Sequence, residues 1–160
     1  MKIILKYTII IVLLLTVCPF AIALDKIQLK HINQLFELRN NIIAQGETLP
    51  NDINKSTEIN QRTLERIFEL NTSALTTIEA YFRMLKVAIA SNAYKNTDTL
   101  KILNEWLKFI NNQCKYDIEY LTEAEKETKI LSITNQINIA KNNMILLGQI
   151  TQEGINENSF

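Results

Sequence analysis

The chain has 160 residues, with 17 basic and 17 acidic side chains, and 47% of it is apolar. This near-neutral balance argues against a nucleic-acid binder, whose domain is usually clearly basic, and against a polybasic membrane anchor. Only three glycines and two prolines are present, which disfavours both a turn-rich all-β fold and a low-complexity, disordered chain.

The first 23 residues read as a signal peptide. Lys2 and Lys6 form a basic start, Tyr7 to Val17 is a continuous apolar stretch, Pro19 breaks it, and Ala21-Ile22-Ala23 offers small residues for cleavage after Ala23. The style is bacterial, which makes the product periplasmic or extracellular. If cleavage fails, Tyr7 to Leu24 is an uncharged run near the lower limit for a membrane anchor, and this is the one route to a membrane. Cys18 lies in a lipobox-like context, but Val17 replaces the small residue that lipidation requires. The remainder holds 15 basic and 17 acidic groups, a charge of about −2. It keeps one cysteine, Cys114, so no intrachain disulfide can form and a core must hold the domain together.

Helical periodicity dominates the rest of the chain. The first segment runs from Asp25 to about Gln45, with Ile32, Leu35, Phe36, Ile42 and Ile43 on one face, Gly46 as a stop, and a loop from Thr48 to Asp52. The second spans Ser56 to Ala90. Leu64, Phe68, Asn71, Leu75, Ile78, Phe82, Leu85 and Ile89 alternate by four and three, and Ile67, Ala74, Tyr81 and Ala88 widen the stripe. Its outer face predicts i, i+4 pairs between Glu58 and Arg62 and between Glu79 and Arg83. Asn71-Thr72-Ser73 are weak helix formers that suggest a kink, or Asn71 is a buried polar residue that fixes register.

Thr97 or Asp98 is the expected N-cap of the third segment, whose core stripe is Leu100, Leu103, Leu107, Ile110, Cys114 and Leu121. The fourth stripe, Ile130, Ile133, Ile137, Ala140, Met144 and Leu147, is out of phase with the third. This predicts a break between Leu121 and Ile130, with Thr122 and Glu125 as a capping box. Residues 24–152 form one helical domain on this reading, and 153–160 a frayed polar tail. The expected fold is all-α, an antiparallel up-down bundle of four helices, or five if the second segment breaks.

Catalytic and metal chemistry is sparse. His31 is the sole histidine, no metal-ligand or phosphate-binding motif occurs, and no cofactor is expected. His31 reads as a partly exposed helix residue or a pH-responsive contact. Cys114 reads as a buried thiol, or less simply as the site of an intermolecular disulfide. Two Asn-x-Ser sequons, at Asn54 and Asn71, are what chance supplies in so asparagine-rich a chain.

The third segment carries a second stripe of Ile102, Trp106, Phe109, Tyr116 and Tyr120, with Gln113 in the gap. It marks either a helix sandwiched by neighbours or a docking face, since tryptophan and tyrosine favour interfaces. Beside it, Glu119, Glu123 and Glu127 share a face if the helix is continuous, and Asp117 and Glu125 extend that acidic patch. The resulting expectation is a non-catalytic, exported protein-binding module, such as an immunity or inhibitor protein or an accessory subunit of an envelope machine. Its interface would be Trp106, Phe109, Tyr116 and Tyr120, with Glu119, Glu123 and Glu127 meeting a basic partner surface. The alternatives are a carrier enclosing an apolar small molecule among Trp106, Phe109 and Tyr116, and a carboxylate-only hydrolase.

Overall fold

The computed structural model describes residues 30–158; the expected signal peptide, the expected helix start at Asp25 and residues 159–160 lie outside the described residues. The described chain is an all-α bundle of four helices: α1 (Lys30–Lys55), α2 (Glu58–Ala90), α3 (Thr97–Glu127) and α4 (Leu131–Glu157). α3 packs most extensively on α4, and α1 packs on both α2 and α4. The seam between α2 and α3 is much less intimate.

α1 does not stop at Gly46. It continues through Gly46 and Pro50 to Lys55 because Leu49 and Ile53 extend its apolar stripe and are fully buried. Pro50 supplies no N–H to the preceding turn, at a cost of about 3 kcal/mol. Burying Leu49 and Ile53 offsets this with about 2 kcal/mol each. Hydroxyls also close local bonds, Thr48 Oγ1 donating to the Gln45 carbonyl at 2.9 Å and Ser56 Oγ to that of Asp52 at 2.7 Å.

α2 is one uninterrupted helix of 33 residues, about 50 Å long, so there is no fifth helix among the described residues. The hydroxyls of Thr72, Thr76 and Thr77 bond back to carbonyls four residues earlier, so their polar groups are satisfied within the helix, and burial of the flanking apolar stripe holds the segment helical. Asn71 is buried and donates from Nδ2 to Gln45 Oε1 at 3.0 Å. Asn143 of α4 reaches the same oxygen at 3.3 Å, so one polar layer ties three helices in register. The helix ends where Asn92 takes a positive φ of 55°. Ala93 N–H then bonds the Ala88 carbonyl and Asn92 N–H that of Ile89, a Schellman closure built on asparagine.

The N-cap of α3 is Asn96, ahead of both expected positions, Thr97 and Asp98. Its Oδ1 accepts from the N–H groups of Asp98 and Thr99. α3 continues past Leu121 to Glu127, so the change of phase is absorbed by three residues, 128–130. The expected capping box does not form: Thr122 Oγ1 bonds the Ile118 carbonyl inside the helix, and α4 begins after Ile130 without a side-chain cap.

The described part of the expected tail at 153–160 is helical rather than frayed as far as Glu157. α4 stays helical to Glu157, with Thr151, Gly154 and Asn158 buried, because its last turns pack on α1 and α3. Among the described residues no helix is long and apolar enough to cross a membrane.

Candidate functional site

The second stripe of α3 looks outward. Ile102 is 62% exposed, Phe109 51%, Tyr116 68% and Tyr120 40%. A central helix enclosed on all sides would have buried them. Trp106 is half-buried, and its indole N–H donates to the Thr77 carbonyl of α2 at 3.1 Å, which fixes the ring at the α2–α3 seam. Phe109 packs against it with centroids 5.5 Å apart. The Arg66 guanidinium of α2 lies 5.7 Å from the Tyr120 ring, a cation–π contact at the other end of the seam. The stripe is therefore tethered to α2 at Trp106 and at Tyr120, while Ile102, Phe109 and Tyr116 stay open to solvent.

The acidic residues are placed unevenly. Because α3 is continuous through Glu127, Glu119, Glu123 and Glu127 do share its exposed face. Glu123 pairs with Lys126 at 2.7 Å, and Glu125 turns away to pair with Lys141 of α4. Asp117 is not part of the surface patch: it is buried and accepts from Gln113 Nε2 at 2.9 Å. Burial raises its pKa, against the Gln113 bond and the nearby Arg66 charge.

Cys114 is a free thiol buried in the core, and burial pushes its pKa up to about 12. His31 is not the partly exposed residue that its position beside Ile32 suggests. It is fully buried. Its Nδ1 bonds the Glu157 carboxylate, while its Nε2 lies 2.8 Å from the Tyr81 hydroxyl. The set is satisfied with Nδ1–H donating to Glu157 and the Tyr81 O–H donating to Nε2. Tyr94 completes the cluster by donating to Asn158 Oδ1 at 3.4 Å. These groups tie the start of α1, the end of α4 and α2 to one another, so the imidazole is committed to structure. Among the described residues no three of His, Cys, Asp and Glu gather into a metal-holding group.

One surface feature is not foreshadowed by the sequence pattern. An open groove of about 380 Å³ lies between the end of α2 and the start of α3, lined by Arg83, Met84, Val87, Ala88, Ile102 and Leu103 among others. Ile102 makes it continuous with the aromatic stripe. Trp106, Phe109 and Tyr116 do not line it, so they do not enclose a ligand there. The one signal in the sequence that points to it is Val87, an aliphatic residue off the core stripe of α2.

The comparisons add no relative: no protein-family model, no curated protein and no solved structure matches this chain.

Proposed function

We propose that the chain is an exported, non-catalytic docking protein, delivered to the periplasm or secreted after cleavage following Ala23. In this reading the bundle is antiparallel and up-down, a rigid support that presents α3 to a protein partner. Cross-helix contacts support that arrangement: Glu125 meets Lys141, Asn111 meets Gly148, Trp106 meets Thr77 and Arg66 meets Tyr120. In each adjacent pair, later residues of one helix meet earlier residues of the other.

The observation that carries the reading is the row of exposed aromatic rings on one helix, with Tyr116 at its centre. Large apolar side chains held in water in a row are costly unless a partner covers them, and contiguous patches of this kind mark interaction sites. Phe109, Tyr116 and Tyr120 would be the anchors, Trp106 the tethered base, and Glu119, Glu123 and Glu127 a charged rim that selects a basic neighbour. An inhibitor, an immunity protein or an accessory subunit of an envelope machine would each need only such a surface.

A photo-crosslinking residue in place of Tyr116, with the same probe in place of exposed Asn142 on α4 as a control, tests this in cells. A discrete crosslinked product at position 116, absent at 142 and lost with Phe109→Ser, is the expected result. Crosslinks at neither position, or equally at both, would remove α3 as the interface.

A further inference from the structure

The groove between α2 and α3 contains one cation whose natural partner has been taken away. Helical spacing pairs Glu79 with Arg83, but in the folded chain Glu79 turns inward and pairs with the buried Arg39 of α1. Arg83 is left exposed at the groove with no ion pair or hydrogen bond among the described residues. No acidic side chain lines the groove. Its remaining walls are aliphatic or bear small hydroxyls. Val87 on one wall is 67% exposed and Ile102 on the other 62%, far more than either would be if the groove were only a fold in the core.

An apolar trough with one guanidinium is complementary to an apolar chain with one negative head. A planar carboxylate matches the guanidinium fork through two parallel hydrogen bonds. A volume of about 380 Å³ lies within the range of small-ligand sites.

We propose that this groove binds a single-chain amphiphilic carboxylate of the fatty-acid class, with Arg83 holding the carboxylate and Val87, Ile102 and Leu103 holding the chain. The site is separate from the protein-docking face, although Ile102 touches both, and either assignment can fail without the other because the crosslinking test leaves Arg83 untouched.

Trp106 is the sole tryptophan and sits one turn beyond Ile102, so its fluorescence reports on the groove. The purified chain is titrated at mildly alkaline pH with dodecanoate and, separately, with dodecanol, both below their aggregation limits, and calorimetry runs in parallel. Saturable binding at one site is expected, with dodecanoate about tenfold tighter than dodecanol, since the two differ in a charge-assisted bond. Arg83→Ala should bring dodecanoate down to the dodecanol level and leave dodecanol unchanged. Val87→Glu should weaken both ligands by placing a charge in the trough. Both substitutions are on the surface, and an unchanged thermal midpoint shows that the fold is intact. Equal affinity for the two ligands, an Arg83→Ala variant that binds dodecanoate as well as the wild type, or no saturable binding would each overturn the proposal.

Discussion

Gly154 of α4 lies against the imidazole of His31 so closely that a β-carbon there would stand 2.9 Å from His31 Cδ2 and 2.9 Å from Leu107 Cδ1. Leu107 can yield a little, but the His31 ring is held on both sides by Glu157 and Tyr81. Gly154→Ala is therefore expected to destabilise the fold by about 1–2 kcal/mol, the overpacking cost less the helix-propensity gain. Gly46 is the internal control: nothing lies within 4 Å of a β-carbon built there, and it sits inside α1. Gly46→Ala should stabilise by about 0.5–1 kcal/mol. Urea unfolding of the two variants should shift the midpoint in opposite directions.

The same imidazole should make stability depend on pH. Burial holds its pKa below the ordinary 6.5, outweighing the opposing pull of Glu157 and Glu153. As pH falls, the unfolded chain takes up this proton before the folded one does. Stability from neutral His31 is thus complete above its unfolded value and drains away as pH falls through the folded value. The urea midpoint is expected to drop, as pH falls below the ordinary 6.5, more in the wild type than in His31→Gln. Parallel losses would show that another group titrates.

Arg39 and Glu79 are both almost entirely buried and are paired. Glu79→Ala removes one charge and leaves the other inside, at an expected cost of about 3 kcal/mol. Replacing both, with Arg39→Met and Glu79→Leu, should recover most of that loss. A double variant as unstable as the single one would show that the pair is not coupled in this way.

Asp117 should act in the opposite pH sense to His31. Its raised pKa means that the folded chain favours the protonated acid, so its stabilising contribution is present below the ordinary 3.8 and is lost as pH rises through the folded value. At neutral pH the ionised group is a net cost. Asp117→Asn is expected to gain about 1 kcal/mol at neutral pH, and the gain should shrink as the solution is made acidic. A gain that is the same at every pH would point to packing rather than charge.

Much of the fold is legible in the sequence because its signals are local. The four-three spacing of Leu64, Ile78, Phe82 and Leu85 on α2, and of Leu103, Leu107, Ile110 and Cys114 on α3, picks out residues that are buried. The stop signal at Gly46 and Pro50 misleads because the force that overrides it, burial of Leu49 and Ile53, depends on where α1 lands on its neighbours. His31 is illegible for the same reason at longer range: its partner Glu157 is 126 residues away. Glu79 obeys the local rule of spacing only until Arg39 draws it inward, and that displacement makes the groove chemically distinct. The aromatic stripe is visible as a pattern, but only the three-dimensional packing of α3 on α4 shows which side of it faces water.

Lys30 meets Glu153, and His31 meets Glu157, so the first turn of α1 and the last turn of α4 are side by side. The four described helices thus nearly close into a loop. A linker of a few residues can join Asn158 to Lys30 in a chain limited to residues 30–158, and the three-residue connection at 128–130 then offers a place to open it, giving a circular permutant with the same helices in the order α4, α1, α2, α3. Such a rearrangement would carry fused reporters to the opposite end of the bundle, away from the groove between α2 and α3.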